Sequence, residues 1–297
     1  MPDLLFRGTA PALVTPFTPD GALDAPALKR LIDAQIAGGV DALVLLGTTG
    51  ENPTVTPAER QRLTEIAVAH TAGRVPLLVG TGTNHTAESV RFSREAATAG
   101  ADALLVVGPY YNKPPANGLV AHVGAIAEAA DLPIVFYNVP GRTGQNIPAD
   151  LTLRLAEEVP HVVGVKEASG NLAQITDVLA HRPDGFAVYA GDDEFAFPLI
   201  ALGADGVVSV VVNALPEAFC ELVRLALDGE TEAARALHFD LLPAMRACFL
   251  TANPIPVKAA LAHLGLCGDT VRLPLTAPDA ALRQRILDAF FGPTVSR

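Results

Sequence analysis

Residues 37–47 read AGGVDALVLLG, residues 98–108 read TAGADALLVVG, and residues 202–212 read LGADGVVSVVV. Each places a glycine where a helix should stop, then a short polar step, then an apolar run rich in strand formers. Glycine suits the left-handed position that closes a helix, because it has no Cβ to clash there. The pattern is a helix-to-strand junction, and it recurs. Five further apolar runs read as strands: ALVTPF (12–17), VPLLVGTG (75–82), LPIVFYNVP (132–140), VVGVKEA (162–168) and FAVYAGDD (186–193). That makes eight. All are continuously apolar rather than alternating, as parallel strands covered on both faces should be.

The stretches between them have helical period. In LDAPALKRLIDAQIAGG (23–39), Leu28, Leu31, Ile32 and Ile36 share one face and Pro26 sits in the first turn. TVTPAERQRLTEIAVAHTAG (54–73) opens with Thr56, Pro57 and Glu59, a capping box with proline at the first helical position. NHTAESVRFSREAATAG (84–100) repeats the design. Strand and helix alternating eight times over ~225 residues predict a (β/α)8 TIM barrel, an α/β fold. The strand signal fades after Asn213. We expect a catalytic barrel over residues 1–227 and a C-terminal helical region over 228–297.

With 297 residues, half of them hydrophobic, the chain can build one large core. Its net charge of −11 argues against a nucleic-acid partner, which calls for a basic face. An anionic substrate would need a local cationic device against that field. No run approaches the ~18 apolar residues of a membrane span. MPDLLFRGTA (1–10) shows no basic start followed by a long apolar segment. Cys220, Cys248 and Cys267 are odd in number, widely spaced and without metal-ligand pattern, so we expect buried, reduced thiols and a cytoplasmic location.

In such a barrel the active site lies at the carboxyl ends of the strands. The segments there are GTTGEN (47–52), GTGTN (80–84), GPYYNKP (108–114), YNVPGRTG (137–144), Lys166, GDD (191–193), and Ser209 with Asn213. Hydroxyls, phenols, a guanidinium and an amine converge. No histidine or cysteine is among them, so a nucleophile–base triad lacks its base. No carboxylate cluster of metal-ligand type stands there either, since Asp192 and Asp193 are adjacent and should point apart. Lys166 ends an apolar strand, where an unpaired ammonium is costly. A lysine in such surroundings has its pKa lowered, and its neutral amine can attack a ketone to form a Schiff base. Alternatively, Lys166 snorkels to a paired carboxylate such as Glu167 on the other face.

GTTGE, PYYNKP, YNVPGRTG, GVKEASGN, GDD and NPIPVK (253–258) occur in this order over about residues 9–275. Together they resemble the pyruvate-dependent Schiff-base lyase and aldolase family of barrels. Arg142 in VPGRTG, together with NPIPVKAAL and RLPL (272–275), is similar to the branch that condenses pyruvate with L-aspartate 4-semialdehyde on the diaminopimelate route to lysine. A planar guanidinium suits a carboxylate. The alternatives are a sibling class I aldolase acting on a 2-keto-3-deoxy sugar acid and, from another class, a phosphate-binding barrel. For the latter, GTGTN lacks the usual phosphate-loop patterns, and GDD would repel an anion where such a site commonly lies.

The resemblance implies the following roles. Lys166 condenses with pyruvate. Tyr137 relays protons at the imine, with Thr48 and Tyr111 completing the relay. Backbone groups of Thr48 and Thr49 hold pyruvate's carboxylate, Arg142 holds that of the semialdehyde, and Gly191 and Val208 line the pocket. No cofactor or metal is implied. Read from the residues alone, Tyr137 could instead be a core phenol, Thr48 and Thr49 loop caps, and Arg142 a surface arginine on a glycine-rich turn. Tyr111 matches a tyrosine that reaches into a neighbouring subunit, with Tyr110 near the boundary, which implies a homotetramer built as a dimer of dimers. Asn84, Glu88 and Tyr110 match an inhibitory lysine site of some members. Asn52, Pro53, Pro57 and Arg60 depart from the strongly inhibited type, so weak or absent lysine inhibition is expected. Lys258 is expected to be structural.

Overall fold

The computed structural model describes residues 4–292. Residues 1–3 and 293–297, the ends of the N-terminal stretch and of the expected helical region, lie outside the described residues. Eight parallel strands follow one another around a barrel: β1 (Gly8–Pro11), β2 (Leu43–Leu45), β3 (Leu77–Gly80), β4 (Ala103–Val107), β5 (Ile134–Asn138), β6 (Val162–Glu167), β7 (Ala187–Ala190) and β8 (Gly206–Ser209). Each pairs with its sequence neighbour, β1 pairs with β8, and an Ala12–Val44 bridge closes the ring between β1 and β2. Helices α1 (Ala25–Ala37), α2 (Pro57–Thr71), α3 (Thr86–Ala99) and α4 (Ala116–Ala130) follow β1 to β4. After β5 come a short turn of helix, α5 (Pro140–Thr143), and then α6 (Ala149–Glu158). α7 (Leu172–His181), α8 (Ala196–Ala201) and α9 (Pro216–Leu227) cover the last three strands. The chain continues into α10 (Thr231–Ala247), α11 (Ile255–His263) and α12 (Ala280–Phe291).

The apolar strands serve two cores. One lies between barrel and helices. The other fills the barrel, with Ala10, Val44, Leu78, Leu105, Val135, Tyr189 and Val208 among its members. The three repeated junctions behave as read: Gly39, Gly100 and Gly203 take φ of 89°, 94° and 104°. Thr56 and Glu59 form the capping box, with Pro57 opening α2.

Two expectations need correction. The first strand is Gly8–Pro11, not residues 12–17. Phe6 stacks on Tyr189 with centroids 4.1 Å apart, and the Tyr189 hydroxyl donates to the Phe6 carbonyl. These rings fill the barrel floor, so β1 there carries small residues and has little apolar signal. The following segment is apolar but pinned piecewise: Leu13 N to Val44 O, Val14 N to the Asn213 side chain, and the Thr15 hydroxyl to Gly50 O. Among the thiols, all three are free, but only Cys248 and Cys267 are buried, while Cys220 is partly exposed. Among the described residues no helix is long and apolar enough to cross a membrane.

Candidate active site

β5 and β6 run side by side with Tyr137 opposite Lys166 and Asn138 opposite Glu167. Side chains alternate across a strand, so the first pair faces the barrel interior and the second faces the helices. Lys166 is 4% exposed, and its Nζ lies 4.4 Å from the centre of the Tyr137 ring. The Glu167 carboxylate does not reach it. It accepts instead from Asn138, Gln174 and the Ser169 N–H. The reading of Lys166 as half of an ion pair with Glu167 is therefore excluded.

Burial holds the Lys166 ammonium down to about 8. Asp192 and Asp193 push it back up and Arg142 adds to the lowering. Burial also raises Tyr137, to about 12, against the opposing pull of Arg142 and of the Thr48 hydroxyl. Asp192 is raised to about 6, again chiefly by burial. Asp193 accepts from the N–H groups of Val210 and Val211, and Asp192 takes no part in that cap.

Thr48 and Thr49 stand on a tight turn after β2, in which Gly50 N bonds Gly47 O and Glu51 N bonds Thr48 O. The Thr49 hydroxyl accepts from the Asn253 side chain at 2.9 Å. Gly191 packs against β6: a Cβ there would lie 2.5 Å from that of Ala168, so only glycine fits. Its N–H is committed to the Glu167 carbonyl, which leaves its own carbonyl for any ligand. Val208 is buried inside the barrel.

A cavity of about 420 Å³ opens on this end, lined by Thr48, Tyr137, Arg142, Tyr110 and Arg60 among others. Lys166 is not in its lining; Tyr137 is, and lies against Lys166. Arg142 is exposed on α5 yet faces this cavity. Tyr111 is 88% exposed, with φ of 71°, and is not in the lining. Tyr137, Thr48 and Arg142 thus gather around one space, with Lys166 against the Tyr137 ring, and Tyr111 of the same chain stays outside it. Of the residues compared with the lysine site, Asn52, Pro53, Arg60 and Tyr110 line the cavity, and Pro57, Asn84 and Glu88 do not. Among the described residues no group of three or more histidine, cysteine or carboxylate side chains could hold a metal.

Lys258 was expected to be structural, but sequence reasoning overlooked its pairing with Glu51. Lys258 is fully buried and bonds Glu51 and the Thr270 carbonyl. Glu51 also accepts from Arg272 N. The C-terminal helices are in this way tied to the turn that bears Thr48. The signal was Glu51 itself, a carboxylate inside an otherwise uncharged, glycine-rich turn.

This geometry defines a class: a (β/α)8 barrel whose mouth holds a desolvated amine against a phenol. The family model for the dihydrodipicolinate synthetase family matches residues 5–289, and the chain belongs to that family. It is 62% identical over 290 residues to a 4-hydroxy-tetrahydrodipicolinate synthase of Salinibacter ruber, covering 97% of this chain and 96% of that one. The structure of a dihydrodipicolinate synthase from Thermotoga maritima is 41% identical and superimposes with a TM-score of 0.94, over 96% of this chain and 97% of the other. A chloride-inhibited dihydrodipicolinate synthase from Acinetobacter baumannii, complexed with pyruvate, is 39% identical with a TM-score of 0.92, over 95% and 97%.

Proposed function

We propose that this chain is a 4-hydroxy-tetrahydrodipicolinate synthase, a lyase that condenses pyruvate with L-aspartate 4-semialdehyde. One observation carries the reading: the family's lysine position holds a buried amine, without an ion-pair partner among the described residues, lying on a phenol. An amine titrating near 8 is about one-tenth neutral at pH 7, enough to act as a nucleophile.

Neutral Lys166 adds to the pyruvate ketone, and water leaves as the iminium forms. The iminium draws electrons from the methyl group, which loses a proton and becomes a nucleophilic enamine. The enamine carbon bonds to the aldehyde carbon, and the aldehyde oxygen takes up a proton. The amine of the second substrate then attacks the imine carbon, closes the ring and expels Lys166. Tyr137 moves protons at the imine. Because burial holds its phenol well above neutrality, it works as a proton donor and relay partner, with Thr48 beside it. The exposure of Tyr111 supports a relay completed by Tyr111 from a second copy of the chain, hence a dimer as the least active unit and a tetramer of two such dimers. Backbone N–H groups of Thr48 and Thr49 hold pyruvate's carboxylate, Arg142 holds that of the semialdehyde, and Gly191 and Val208 shape the pocket. The free thiols support a cytoplasmic location.

The test is intact-mass spectrometry after borohydride reduction with pyruvate, on wild type and Lys166→Ala, followed by assay with the semialdehyde. An adduct lost in the variant, with ring formation by wild type, is expected. An adduct without ring formation would move the function to a sibling aldolase. No adduct would overturn the mechanism.

A further inference from the structure

We propose that Glu167 is a positioning residue for the second substrate: through Asn138 and Gln174 it holds the turn that carries Arg142. This rests on the proposed function.

The outward-facing pair behind Tyr137 and Lys166 is polar and buried. Asn138 and Glu167 are each almost fully excluded from solvent, on strands otherwise apolar on that face. The Asn138 amide has two hydrogens and meets four acceptors: both Glu167 oxygens at 3.1 Å, Asn146 Oδ1 at 3.0 Å and Ile147 O at 3.2 Å. Its own oxygen accepts from Ile147 N at 3.1 Å. Gln174, on α7, supplies two more hydrogens to the same set, reaching Ile147 O at 3.0 Å and Glu167 Oε2 at 3.2 Å. Asn146 returns a hydrogen to Gln174 Oε1 at 2.7 Å, and Ser169 N bonds Glu167 Oε1 at 2.7 Å. Six acceptor oxygens thus face at least seven hydrogens, and each Glu167 oxygen lies within reach of two donors.

This cluster pins both ends of residues 139–146. Asn138 starts the turn, and its side chain seizes Ile147, where the turn ends. Between the two, the Val139 carbonyl accepts from the N–H groups of Arg142 and Thr143. The Arg142 backbone is thereby held to the residue next to Asn138, and Asn138 is oriented by the Glu167 carboxylate. Arg142 is exposed at its tip and makes no ion pair among the described residues. Its placement over the cavity is consequently set from its root, behind the barrel wall.

A buried carboxylate serving several donors cannot be replaced by an amide without loss. Glu167→Gln adds two hydrogens to a cluster that needs acceptors there, and the Asn138 amide must turn away from Ile147. Steady-state kinetics on Glu167→Gln, and on the milder Gln174→Met, read the effect for each substrate separately. For Glu167→Gln the KM for L-aspartate 4-semialdehyde should rise about tenfold or more, the size expected for losing one hydrogen bond to a charged group. A smaller rise is expected for Gln174→Met. The pyruvate concentration that half-saturates the borohydride-trapped Lys166 adduct should stay at the wild-type value in both. An unchanged aldehyde KM overturns the proposal, as does an equal loss in adduct formation, which would mark a purely structural cluster. Should Glu167→Gln not fold, the split in Gln174→Met decides the matter. Wild type failing to trap pyruvate would instead sink the functional reading.

Discussion

Replacing Lys166 by methionine should make the protein more stable at neutral pH while abolishing its chemistry. Burial lowers this lysine from 10.5 to about 8. Between those pH values the unfolded chain binds a proton that the folded chain does not, so the lysine's contribution to stability rises with pH across that window. Below pH 8 the full penalty applies, and above 10.5 it is gone. At 1.36 kcal/mol per pH unit the penalty is roughly 3 kcal/mol. The contact with the Tyr137 ring, 4.4 Å away, returns on the order of 1 kcal/mol when desolvated. Methionine has similar length, no charge, and fits an apolar barrel, so Lys166→Met should gain about 2 kcal/mol at pH 7. Urea unfolding of both proteins at pH 7 and pH 10, at matched protein concentration, measures this. At pH 10, just below the unfolded chain's value, a penalty of about 1 kcal/mol or less remains, so the gain should fall by about half or more. A variant no more stable than wild type at pH 7, or a gain that does not depend on pH, would refute the claim that Lys166 is held charged at a cost.

Three other outcomes follow from the same geometry. Pyruvate adduct trapping should speed up with pH until about 8 and then level off, since only the neutral amine reacts; a profile flat from pH 6 to 8 would contradict the lowered lysine. Lys258→Met, which strands the buried Glu51 carboxylate, should cost about 3–5 kcal/mol in denaturant unfolding, and the double change Glu51→Met with Lys258→Met should recover most of it. L-Lysine should inhibit weakly or not at all, because the buried Arg60 guanidinium lines the cavity and opposes a cationic amino acid; an inhibition constant in the submillimolar range would sink this expectation.

Much of this was legible before any coordinates. The alternation of strand and helix, the glycine-closed junctions and the Thr56–Glu59 capping box are local signals, and each appears at its place. Lys166 and Tyr137 drew attention because a cation and a phenol end apolar strands, and the structure sets them side by side. Residues 12–17 misled because their burial comes from scattered bonds to distant partners rather than from a ladder. Glu51 and Lys258 lie 207 positions apart, and periodicity holds no information about such a pairing. The partner proposed for Tyr111 is a second copy of the chain, about which local sequence pattern carries no signal.

Asn138 and Glu167 teach a different lesson. Each stands next to a residue singled out for chemistry; Asn138 was passed over, and Glu167 was weighed only as a partner for Lys166, because a barrel's active site is sought on its inner side. Strand geometry makes that adjacency consequential. A step of one residue carries a side chain through the wall, so Asn138 and Glu167 reach from the strands that bear Tyr137 and Lys166 to Ile147, where the Arg142 turn ends. A polar, hydrogen-bonded cluster suits that task better than packing does, because its bonds fix direction as well as distance. An apolar pair at the same positions would fill the space equally well and leave the Arg142 turn free to shift. The residues behind the wall thus belong to the site as much as those inside it.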